Sequence, residues 1–99
     1  MEKHILIVED EQDIREAMHE ALTEAGFNVS TSSNGAIGLA DAIEKKPDLI
    51  LLDIVMPEMD GHEVLKKLRE DPWGKSVKVI MLTSMDSTKN IASAHENTI

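Results

Sequence analysis

Ninety-nine residues carry 19 acids against 10 bases, a net charge of −9, with 41% hydrophobic residues, no cysteine, and Phe27 and Trp73 as the only aromatics. That length fits one domain, and the absence of cysteine excludes a disulfide framework and a thiolate metal site. The acidic balance argues against nucleic-acid binding, which needs clustered Lys and Arg on phosphates. The core must be aliphatic, with six methionines as adaptable filler. Met1-Glu2-Lys3-His4 leads into only four apolar residues, so neither a signal peptide nor a membrane span is expected, and the chain reads as cytoplasmic.

Ile5-Leu6-Ile7-Val8 is a short continuous apolar run, the pattern of a strand buried on both faces, and Glu9, Asp10 and Glu11 follow it. From Gln12 the period becomes helical, with Ile14, Met18, Ala21, Leu22 and Ala25 on one face and Gly26 as a left-handed stop. Phe27 to Thr31 alternates apolar and polar, which predicts a shorter strand nearer a sheet edge. Asn34 is placed to cap a second helix, with Ile37, Ala40 and Ile43 inward and Pro47 ending it.

Asp48 to Leu52 is a third strand, and it delivers Asp53 at its end. A carboxylate there can serve as nucleophile, metal ligand or helix cap. Pro57 and Gly61 argue for an irregular loop before the next helix, against the cap. That helix runs from about Gly61 to Arg69 with Val64, Leu65 and Leu68 inward, and stops before Asp71-Pro72. Val77 to Leu82 is a fourth strand ending in Thr83-Ser84, and Asp86-Ser87 opens a last helix with Ile91, Ala94 and His95 on one face.

Strands and helices alternating at these short intervals predict βαβ units: an α/β fold with one parallel sheet and helices on both faces. Parallel strands send their carboxyl ends to one edge. Glu9, Asp10, Asp53 and Thr83 should therefore converge there. At an effective dielectric of ~20, two like charges ~4 Å apart repel by roughly 4 kcal/mol, so gathered carboxylates call for a cation. Oxygen donors without cysteine or paired histidine favour Mg²⁺ or a related hard ion. His4, His19, His62 and His95 are scattered, with no second ligand at metal spacing, and Met56 and Met59 read as loop packing.

The stretches Ile-Leu-Ile-Val-Glu9-Asp10-Glu11, Asp53-Ile-Val-Met-Pro57-Glu-Met-Asp60-Gly61 and Met-Leu-Thr83-Ser84 closely resemble the receiver domain of two-component response regulators, a flavodoxin-like fold. The resemblance covers essentially residues 1–99. It implies that Asp53 accepts a phosphoryl group from a phosphohistidine of a sensor histidine kinase or phosphotransfer protein. It implies a Mg²⁺ site of Glu9, Asp10, Asp53 and the Val55 carbonyl, and a switch hydroxyl at Thr83 that passes the state to a downstream signalling protein.

The family's fifth strand, closing helix and phosphoryl-contacting lysine should lie beyond Thr83. Lys89 is the only later lysine and falls too near Thr83 to take that role. The expectation is thus a receiver with its fifth β-α unit missing, its fourth strand an exposed edge, and a homodimer through that edge. Two alternatives stand beside the phosphorylated switch. One is an unphosphorylated dimerisation module on the receiver scaffold. The other is a phosphatase of the haloacid dehalogenase type, which wants a second aspartate where Val55 stands.

Overall fold

The computed structural model describes residues 3–82. The elements run β1 (His4–Val8), α1 (Gln12–Glu24), β2 (Asn28–Ser32), α2 (Gly35–Lys45), β3 (Leu49–Asp53), α3 (Gly61–Glu70) and β4 (Lys78–Leu82). All strand pairs are parallel, in the order β2-β1-β3-β4. The expected last helix, Thr83 and Lys89 lie outside the described residues. Among the described residues no helix is long and apolar enough to cross a membrane.

The apolar runs become the two central strands. Leu6, Val8, Ile50 and Leu52 point to one face and pack with Ala42 of α2 and Val64 and Leu68 of α3. Ile5 and Ile7, of opposite parity, are equally buried on the other face. Helix α1 packs against β1 and β2, while α2 and α3 pack against each other. The sheet is therefore covered from both sides, as its period-free apolar strands require.

Helix ends follow local chemistry. Asn34 Oδ1 accepts from the Ile37 N–H at 2.8 Å and Asp60 Oδ1 from the Glu63 N–H at 2.9 Å, two side-chain caps. Helix α1 ends in paired bonds, Gly26 N–H to Thr23 O and Phe27 N–H to Leu22 O, with Gly26 at φ +102°. This is the Schellman arrangement, and the positive φ is what glycine supplies there. Helix α2 ends at Lys45, and its cap Lys46 takes φ 49° immediately before Pro47.

Two helix faces differ from the sequence expectation. On α2, Ile37 is 46% exposed and Ala40 is exposed, while Gly35, Gly38 and Ala42 are buried. The reason is close approach. A Cβ on Gly38 would lie 2.6 Å from Val8 Cγ1, and one on Gly35 would lie 2.5 Å from Met59 O. Helix α2 meets β1 and the loop after β3 through a seam without side chains, which hydropathy does not register. On α1, Ile14, Met18 and Leu22 are half-buried, but Ala21 and Ala25 are exposed. The second strand is also one residue later than expected, leaving Phe27 outside it and 36% exposed.

Between α3 and β4 the chain is fastened by side chains. Asp71 Oδ2 accepts from the N–H groups of Trp73 and Gly74, and Arg69 donates to the carbonyls of Gly74 and Val77. Trp73 thereby packs against the core. This loop, with Phe27, Lys3 and Lys78, surrounds a cavity of about 510 Å³ at the amino-terminal edge of the sheet.

Candidate functional site

At the opposite edge β1 and β3 run side by side, with Val8 aligned to Leu52. The next residue on each strand is an acid, Glu9 and Asp53, and both are fully buried. Asp10 follows Glu9 and is half-buried. Glu9, Asp10 and Asp53 each offer a carboxylate oxygen, all lying within 4.8 Å of one another. It is the one such metal-capable group among the described residues. Crowding that strong, with two of the three acids buried at strand ends, costs several kcal/mol unless a cation or hydrogen bonds offset it.

The turn between β1 and α1 is tied down at several points. The Glu9 N–H donates to Ser32 O at 3.1 Å, continuing the ladder towards β2. Glu9 Oε2 accepts from the Glu11 N–H at 2.8 Å, and the Glu9 carbonyl accepts from the Arg15 guanidinium at 2.9 Å.

The loop after β3 shapes the other side. Gly61 donates its N–H to Ile54 O at 2.8 Å, and a Cβ built on it would strike the Asp53 carbonyl oxygen. Glu58 sits at φ +70°, and the Met59 N–H donates to Pro57 O at 2.7 Å, a γ-turn with a left-handed centre. Such backbone strain in a non-glycine residue persists only where the surroundings impose it. Met56 is buried and Met59 packs against the core, so both serve the loop packing expected of them.

The expected site residues are thus placed as follows. Glu9, Asp10 and Asp53 come together. Val55 lies in the loop two residues past Asp53, with its side chain 39% exposed. Thr83 directly follows Leu82, the β4 partner of Asp53, and lies outside the described residues. His4 bonds Ser30 through its ring, and His19 and His62 are exposed, so the described histidines take no part. Sequence reasoning missed Arg15, whose place on a polar helix face gave no sign of its bond to Glu9.

Residues 5–98 match the response regulator receiver domain family. The chain belongs to that family. Receiver domains of response regulators are signalling proteins, so the match speaks against an enzyme of the phosphatase class.

Among curated receivers, the chain is 41% identical over 86 residues to the alkaline phosphatase synthesis transcriptional regulatory protein PhoP of Bacillus subtilis, covering 87% of this chain and 35% of PhoP. It spans only about a fifth to a third of such relatives (19% of the Caulobacter vibrioides response regulator PleD). Among solved structures, CheY4 of Vibrio cholerae superposes with a TM-score of 0.78 at 32% identity, covering 82% of this chain and 68% of CheY4. The response regulator TrrA of Thermotoga maritima, in complex with Mg²⁺-BeF, gives 0.75 at 36% identity and covers 87% and 75%. A complex of TrrA with histidine kinase ThkA gives 0.72 at 39% identity and covers 80% and 66%. The fold is the flavodoxin-like one that the resemblance implied, and its parallel sheet covered on both faces is what the strand pattern predicted.

The donor set fits a hard divalent cation. It consists of carboxylate oxygens on two adjacent strand ends and one turn, with no sulfur or nitrogen ligand in the group.

Proposed function

We propose that residues 1–99 form a receiver domain that accepts a phosphoryl group on Asp53 from a phosphohistidine, in a sensor histidine kinase or a phosphotransfer protein. The observation that carries the reading is the convergence of Glu9, Asp10 and Asp53 within 4.8 Å, with Glu9 and Asp53 fully buried. An Asp53 carboxylate oxygen attacks phosphorus, a P–O bond forms and the P–N bond breaks. The imidazole leaves with the bonding pair and takes up a proton. Phosphoryl transfer asks a protein mainly for positioning and charge neutralisation, and a strand end fixed by its ladder supplies the first.

Asp10 and Asp53 would hold Mg²⁺ directly, with Glu9 acting through water and Val55 adding its carbonyl. When bound, Mg²⁺ offsets the charge of the carboxylates and of the incoming phosphoryl oxygens. Thr83 is the switch hydroxyl: it donates to the attached dianion and draws the segment after β4 inward, changing the surface that a downstream signalling protein reads. The complex of TrrA with a histidine kinase supports the choice of donor.

Intact mass after incubation with Mg²⁺ and acetyl phosphate tests this. Wild type should gain one phosphoryl group and Asp53→Asn none. An adduct on both, or on neither, overturns it.

A second reading, a homodimer through the sheet edge, is favoured by one observation. Strand β4 is terminal in the described sheet, and Ile80 on it is 51% exposed. Exposed apolar edge strands are templates for pairing.

A further inference from the structure

We propose that Arg15 is a positioning residue for the cation site: from helix α1 it fixes the acidic turn, holding Glu9 and Asp10 in place before an ion arrives. The inference rests on the receiver reading of the site given above.

The Glu9 N–H still belongs to the sheet, bonded to Ser32 O at 3.1 Å. Its carbonyl is bonded instead to the Arg15 guanidinium at 2.9 Å, in a part-buried setting. Hydrogen bonds from charged donors are stronger than neutral ones, and they hold better where water is excluded. The usual device for fixing a helix entry is missing here, because the Glu11 side chain makes no capping bond. Arg15 takes its place. Its backbone N–H donates to Glu11 O at 2.9 Å while its side chain returns to Glu9 O. The residue between those two anchor points is Asp10.

That bracket matters for electrostatics. Glu9 and Asp53 are carried by adjacent strands, whose ladder limits how far they can separate. Asp10 stands on the turn between β1 and α1, outside the strand ladder, so its place beside the other two acids depends on how that turn is held. A fastened turn meets that cost during folding, so less of the cation's binding energy goes into ordering its ligands. The clamp also sets a permanent positive charge beside the acidic turn.

Calorimetric titration of Mg²⁺ into the full chain decides it, using wild type, Arg15→Met and Arg15→Lys, with thermal midpoints recorded in chelator. Arg15→Met keeps the apolar stem and removes the donors, and should bind Mg²⁺ about tenfold more weakly, as for loss of an outer-shell partner. Arg15→Lys should recover most of that loss, because a single bond to one carbonyl is within an ammonium's means. Equal affinity in wild type and Arg15→Met overturns the proposal. So does a loss that Arg15→Lys fails to restore and that follows the thermal midpoint, the pattern of a purely structural role. If Arg15→Met does not fold, Arg15→Gln carries the same comparison. A wild type that takes up no Mg²⁺ overturns the cation-site reading itself and this inference with it, an outcome separate from the others.

Discussion

Gly61 rests directly on the backbone of Asp53: a methyl group at its α-carbon would overlap the Asp53 carbonyl oxygen and approach Ile54 Cα to 2.8 Å. The first residue of α3 is thus in van der Waals contact with the end of β3. The atoms in the way are main chain, so they cannot turn aside as a flexible side chain would.

Gly61→Ala should therefore destabilise the fold by about 1–3 kcal/mol, the usual cost of forcing extra volume into a packed site. Because the displaced atoms belong to Asp53, Mg²⁺ affinity should fall as well. Urea denaturation together with calorimetry checks both. An alanine variant of wild-type stability would show that the contact relaxes at no cost.

Asp53→Asn should raise stability in the absence of metal. One of three crowded carboxylates loses its charge, and relief of about 1–2 kcal/mol is reasonable for partly screened repulsion at this spacing. Saturating Mg²⁺ should close or reverse the difference, since ligand binding stabilises the wild type by RT ln(1 + [L]/Kd) and the variant less. Thermal midpoints in chelator and in Mg²⁺ measure this. Identical responses to Mg²⁺ in both proteins would remove Asp53 from the cation site.

Ile80→Lys probes the sheet edge. If β4 pairs with a second copy, wild type should sediment as a dimer and the lysine variant as a monomer, because an edge lysine discourages strand addition. Half-exposed as it is, Ile80 should tolerate the change with little loss of monomer stability. A wild type that sediments as a monomer at every concentration rules out the dimer.

Much of this site was readable from residue order alone. Glu9 and Asp53 each follow an uninterrupted apolar run, and a run buried on both faces has only one way to present the acid behind it. Parallel connection then sends both acids to the same edge. The loop was less legible. Nothing in Pro57-Glu58-Met59 announces that the glutamate takes φ +70°, because that conformation is imposed by the turn closing around it.

Glycines were the larger blind spot. Gly35 and Gly38 contribute no hydropathy, so the inward face of α2 was assigned to Ile37, Ala40 and Ile43, of which Ile43 packs against the core while Ile37 is 46% exposed. What selects the true face is room for two backbones to meet, a property of the pair and not of either segment. Arg15 was hidden differently. Charged residues on a helix usually face water, and its bond to Glu9 O spans six positions across a change of secondary structure.

The position of Trp73 has a practical consequence. The sole indole of the chain is pinned by Asp71 ahead of β4, beside Lys78, whereas Asp53 aligns with Leu82 where that strand finishes. Intrinsic fluorescence will thus be almost blind to events among the acids, and a flat emission trace on adding salts of divalent ions would say nothing about occupancy. The same signal should follow denaturation faithfully, which makes it a clean reporter for unfolding and a poor one for signalling.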